Sequence, residues 1–185
     1  AVTGLTTGLK TYFSTWGALN KTYICNGTDA MRSWDGTTPA TITISDGVPT
    51  QALPYQDRLL TIIGGKLTWS ASFDDTGTNW EAASDCGIRP DTILYGMSYH
   101  SVANEPAGYD TKVLLAGANG MYLFAAKSLI VPFTAAGSDY VIFPIATTVG
   151  CNAPRTMCWT PKGTMWLGID KQVYLLPFGS TSPVA

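Results

Sequence analysis

The sequence predicts an all-β chain built as a succession of small antiparallel meanders, and three observations predict it. First, no segment of the 185 residues sustains an apolar period of 3.6. Second, short runs such as Thr41-Ile-Thr-Ile-Ser45 alternate apolar and polar residues, the period of a half-buried strand. Third, nineteen Gly and eleven Pro punctuate these runs with turn pairs, which breaks up any long helix.

Taken in order, residues 1–20 read as an entry segment, polar and turn-rich at Thr3 to Gly8, then aromatic at Tyr12, Phe13 and Trp16. Lys21-Thr-Tyr-Ile-Cys25 is a strand. Asn26-Gly27 follows as a hairpin signal, because both residue types accept a positive φ. Ala30 to Trp34 returns and ends in a second turn pair, Asp35-Gly36, before the strand over residues 41–45. Beyond Pro49 and Pro54, Arg58 to Ile63 is a strand, Gly64-Gly65 its turn, and Lys66 to Ser70 the return. Ser84 to Pro90 reads as a polar connection and Ile93 to Tyr99 as a strand. Residues 102–110 read as an exposed loop. Within that loop Asn104, Glu105 and Tyr109 are the candidate partner contacts. Lys112 to Gly117 and Met121 to Ala125 flank Asn119-Gly120. Thr156 to Thr160, Thr164 to Gly168 and Gln172 to Leu176 follow, with turns at Pro161-Lys-Gly163 and Asp170-Lys171. Residues 177–185, rich in Ser, Thr and Pro, read as a loose tail.

The hairpin centres near Tyr23, Ile62, Leu114 and Trp159 lie roughly 40–50 residues apart, the length of one propeller blade. The predicted architecture over residues 21–176 is therefore a β-propeller-like array of about four blade units. A β-sandwich, whose turn spacing overlaps, is the alternative.

Composition narrows the function. Charged residues are only 13% of the chain, about half the usual share, so little surface charge is present to keep copies apart. The expectation is a chain whose surface is covered in an assembly. Eleven Lys and Arg against thirteen Asp and Glu, dispersed along the length, give no basic field for nucleic acid or anionic lipid. No run of 18 apolar residues offers a membrane span, and no charged segment precedes an apolar one at the start. The first residue is Ala rather than Met, which reads as a processed chain or a piece of a longer one. Cys25, Cys86, Cys151 and Cys158 are scattered without zinc spacing, and His100 is the sole histidine, so no metal site and no cofactor are expected.

The most informative stretch is residues 67–80. Leu67 and Trp69 alternate with Thr68 and Ser70, and a turn with Asp75, Gly77 and Trp80 at Asp-x-Gly-x-x-Trp spacing follows. An Asp in such a turn can accept from backbone N–H groups two residues on, Gly supplies the positive φ, and the Trp can fold back over the turn. This spacing resembles the Asp-box, a hairpin turn common in β-propellers, with Phe73 where that motif usually has Ser or Thr. The resemblance implies that the three residues are architectural.

A wider order of motifs runs along the chain. It begins with Tyr23-x-x-Asn26-Gly27-x-Asp29, Trp34-Asp35-Gly36 and Arg58-Leu59, then Trp69-Ser70 to Asp74 and Trp80. It continues through residues 113–115 to Tyr122, then Val149-Gly150-Cys-x-Ala-Pro154 and Gly163-x-x-Trp166-Leu167-x-x-Asp170-x-x-Val173-Tyr174. Over roughly residues 3–176 this order resembles the β-propeller structural proteins of tailed-phage virions, found in tail-tip, nozzle and head-to-tail connector-associated positions. The family's Lys/Arg-Ser-x-Tyr strand is matched only loosely, by Gly120-Met-Tyr-Leu-Phe124, and Trp34-Asp35 lacks the Gly-His partner of a WD repeat. The resemblance implies a non-enzymatic building block that assembles in the host cytoplasm. It would reside in the virion and contact copies of itself and other virion proteins.

Two other functions share features with this chain. Sialidase-type propellers carry Asp-boxes, and Asp74, Asp75, Glu81 and Asp85 could suggest a carboxylate pair. Those enzymes also need several arginines converging on the substrate, whereas only Arg32, Arg58, Arg89 and Arg155 are present here. A carbohydrate-binding propeller is the stronger alternative, with a glycan stacked on one of six Trp or nine Tyr. A Gly-x-Ser-x-Gly turn and a phosphate-loop spacing around Gly64-Gly65-Lys66 are both absent, and His100 reads as a hydrogen-bonded rather than catalytic residue.

Overall fold

A computed structural model of the chain describes residues 2–81, 93–101, 111–129, 139–145 and 149–185. The chain is all-β, with four small antiparallel meanders. They fall into two compact units, each a four-stranded sheet followed by a three-stranded one.

The first unit holds β1 (Tyr12–Trp16), β2 (Lys21–Cys25), β3 (Met31–Trp34) and β4 (Pro39–Ile42) in one sheet. Its second sheet is β5 (Pro49–Tyr55), β6 (Arg58–Ile63) and β7 (Lys66–Trp69). Neighbours in sequence are neighbours in the sheet throughout, the simplest connection available to short strands. The second unit repeats the plan. Its four-stranded sheet is β8 (Leu94–Ser101), β9 (Thr111–Gly117), β10 (Met121–Ser128) and β11 (Asp139–Pro144). Its three-stranded sheet is β12 (Cys158–Thr160), β13 (Gly163–Leu167) and β14 (Val173–Pro177).

One apolar core serves both sheets of each unit. In the first, Trp16, Tyr23 and Met31 meet Ala52, Leu59 and Ile63 across the two sheets. In the second, Leu114, Met121 and Leu123 meet Cys151, Trp166 and Leu176. Each fully buried large side chain of this kind contributes about 1.5–3 kcal/mol relative to exposure. Leu59 to Ile63 of β6 and Val113 to Ala116 of β9 are buried without alternation, so these strands are covered on both faces.

Some elements differ from the sequence reading. Tyr12–Trp16 lies in the segment set apart as an entry, yet it pairs with β2 along its whole length, from Tyr12↔Cys25 to Trp16↔Lys21. The tail is not wholly loose: Val184 and Leu175 exchange two backbone hydrogen bonds of 2.8 Å, adding one rung outside β14. Strands β5 and β11 have no counterpart in the sequence reading. Every proline within a described strand (Pro39, Pro49, Pro54, Pro144 and Pro177) falls on β4, β5, β11 or β14, each terminal in its sheet. There the missing N–H costs the sheet little.

The turns sort by register. Gly64-Gly65 is a two-residue hairpin with both φ values positive, at 57° and 78°, and Ile63 paired to Lys66. Asn26-Gly27 instead opens a five-residue connection, since Ile24 pairs with Arg32. Asp170-Lys171 sits in a three-residue loop closed by Gly168 N donating to Gln172 O, with Lys171 in the left-handed region at φ 67°.

Candidate functional site

The stretch from Trp69 to Glu81 leaves β7, loops out and returns beside it. Ala71 N donates to Asn79 O (2.7 Å), Glu81 N donates to Trp69 O (2.8 Å), and Ser70 bridges to Trp80. The second sheet of the first unit thereby gains a short extra rung. Phe73, at φ 50°, stacks on Trp16 with ring centroids 6.0 Å apart.

The expected turn residues divide into one correction and two placements. Asp75 does not tie its own turn. Its Oδ2 accepts from Lys21 Nζ at 2.7 Å and from Tyr23 OH at 3.0 Å, both on β2 and more than fifty positions away in sequence. Asp74 takes the local role: its Oδ1 accepts from Thr76 N and Thr76 Oγ1, each at 2.7 Å. The physical reason is reach. Asp74 and Asp75 are adjacent in the chain, yet only Asp74 faces the turn amides, while Asp75 faces β2. Burial pushes the Asp74 carboxyl up, but the bonds from Thr76 and Asn79 outweigh it and hold the group below the ordinary carboxylate value. Tyr23 is raised, first by burial and then by the Asp75 charge and hydrogen bond.

Gly77 has φ 89°, and a Cβ there would overlap the Thr43 carbonyl oxygen and crowd Ile42. Only glycine permits both the conformation and the approach. Trp80 packs against the first unit's core as a half-buried side chain rather than standing free for a ligand. Asn104, Glu105 and Tyr109 lie outside the described residues, as do Asp85 and Arg89.

The other candidate groups are anchored separately. Arg32 bonds Thr41 and the Gly4 carbonyl, and Arg58 donates to Ser70 O at 2.9 Å. Glu81 is buried, and its carbonyl accepts from Thr68 Oγ1. His100, read from sequence as a hydrogen-bonded residue, is buried in β8 with Nδ1 2.8 Å from Thr164 Oγ1. Thr164 Oγ1 also lies 3.3 Å from Tyr99 O, within hydrogen-bond reach. Among the described residues no group of three His, Cys, Asp or Glu is placed to hold a metal ion. No helix of the described residues is long and apolar enough to cross a membrane.

Sequence reasoning missed the surface that carries aromatic side chains. On the outer face of the first sheet, Phe13 is 68% exposed and Trp34 43% exposed. On β12, Trp159 is 56% exposed and lies 5.9 Å from the Phe178 ring. The signal was present as strand parity: Phe13 alternates with the inward residues Ser14 and Trp16 around it.

The geometry therefore offers a tied loop, a pair of shared cores and exposed aromatics on strand faces. Compared with known protein families, curated proteins and solved structures, the chain matches none.

Proposed function

We propose that this chain is a structural building block of a tailed-phage particle, in a tail, nozzle or head-to-tail connector position. It would act by self-association and by docking to neighbouring virion proteins. The observation that carries the reading is the exposure of Phe13, Trp34 and Trp159 on strand faces of a chain with 13% charged residues. Such a surface gains from being covered, and the short strands of the meanders present it. The motif order described above supplies the particle as the setting, and the tying of Asp74 and Asp75 within the fold fits an architectural role for the Asp-box-like turn. Light scattering across a concentration series tests self-association, and mass spectrometry of purified particles tests the location. A monodisperse monomer at high concentration, absent from particles, would refute the proposal.

A second reading rests on the same indoles. Trp34 and Trp159 are open enough to stack against a sugar, whereas Trp80, Trp69 and Trp166 are packed. Glycan-array binding that disappears in Trp34→Ala or Trp159→Ala, with the fold retained, would favour a carbohydrate-binding module over a purely structural one.

A further inference from the structure

The sequence contains two Asn-Gly pairs, Asn26-Gly27 and Asn119-Gly120, and the structure treats them differently. An asparagine followed by glycine is open to attack by its own backbone. The glycine nitrogen bonds to the asparagine Cγ, the Cγ–Nδ2 bond breaks, and ammonia leaves with the displaced proton. Water then opens the cyclic imide on either side, giving aspartate or isoaspartate. Glycine favours the step because no Cβ obstructs the approach. No oxidant, metal or enzyme is needed.

Asn26 is held on every side. Its Oδ1 accepts from Thr28 N (3.0 Å) and Asp29 N (2.8 Å), and its Nδ2 donates to Asp29 Oδ2 (2.7 Å). The would-be nucleophile, Gly27 N, donates to Pro49 O at 3.1 Å. Asn119 sits exposed at the tip between β9 and β10, and its side chain has no hydrogen-bond partner among the described residues. Gly120 N likewise donates to none of them; the tip is closed by Gly117 N donating to Gly120 O at 2.9 Å.

We infer that Asn119 is a site of spontaneous deamidation and that Asn26 is protected from it. The position is consequential, because this tip is fastened within its unit. Ala118 N donates to Ile93 O (3.0 Å) and Cys151 N donates to Gly117 O (3.0 Å). Gly150 approaches so closely that a Cβ would overlap the carbonyl oxygens of Gly117 and Ala118. Isoaspartate inserts one extra carbon into the main chain beside these contacts, and either product adds a negative charge.

The test is to hold the full folded chain in mildly alkaline buffer and follow both sites by peptide mapping for the one-mass-unit gain, with isoaspartate scored separately. Conversion at Asn119 is expected to exceed that at Asn26 by at least about tenfold, the effect on a rate of keeping roughly one hydrogen bond intact. In denaturant the bias should vanish, and Asn119→Gln should remove the fast site while leaving Asn26 unreactive in the folded chain. Equal rates in the folded chain, faster loss at Asn26, or no conversion at Asn119 while the denatured chain reacts would each overturn the inference.

Discussion

The two units share a strand plan and differ in what fastens their loops. In the first, the long-range ties involve charge: Lys21 and Tyr23 on Asp75, and Thr6 on Asp29, whose Oδ2 accepts from Thr6 N at 2.6 Å. In the second, a long-range tie among the described residues joins His100 to Thr164, whose hydroxyl also lies near the Tyr99 carbonyl, beside the stacked Trp166 and Tyr174 rings at 5.6 Å. Its prominent carboxylate bond, Tyr174 OH to Asp170 Oδ2 at 2.6 Å, spans only four residues. The difference teaches that one strand plan can be closed by electrostatics or by packing. The two closures should answer differently to pH, salt and truncation.

The largest test removes packing. Trp166→Ala should destabilise the second unit by about 3–5 kcal/mol. Hydrogen exchange should show protection lost in β9, β10 and β13. Equal loss across β1 to β7 would break the distinction between the units. Gly77→Ala comes next, at about 3 kcal/mol, because it adds a positive-φ penalty to a backbone overlap. Its exchange signature should sit in the first unit.

Asp75→Ala removes two charge-assisted bonds and should cost about 2 kcal/mol, read from denaturant unfolding. The same variant should lower the Tyr23 phenol by ultraviolet titration, while burial keeps it above the ordinary tyrosine value. Thr164→Val is the counterpart in the second unit. It should cost about 1 kcal/mol, with no dependence on salt.

The smallest effect is in acid. Among the described residues, Asp29, Asp35 and Asp74 are held low in the first unit by hydrogen bonds, Asp35 at about 2, against Asp170 in the second. A lowered carboxylate stabilises the fold above its unfolded value of about 3.9 and loses that contribution as pH falls toward its folded value. The first unit should therefore open before the second on acidification, and the reverse order would contradict the comparison.

The strand series was legible because its signals are local. Lys21 to Cys25 and Arg58 to Ile63 fall where alternation and β-branched content place them, and Gly64-Gly65 makes the turn its composition requires. Asp75 was readable as a structural residue but not as a partner of Lys21 and Tyr23, since nothing in a linear pattern reports a contact more than fifty residues away. Asp74 and Asp75 are chemically identical, and only backbone direction decides which faces the turn. Strand β5 escaped because Pro49 and Pro54 weaken the ladder signal, and a terminal position tolerates what a central one would not.

Those prolines bear on how copies of the chain behave in a crowd. A proline removes an amide donor, so a foreign strand laid along β4, β5, β11 or β14 cannot complete a continuous ladder. Charged side chains commonly perform this protective task, and here they are scarce. Each sheet thus carries a built-in defence against runaway fibril growth on one border only. Removing it, for example by replacing Pro49 and Pro54 together with valine, would turn a passive border into an adhesive one.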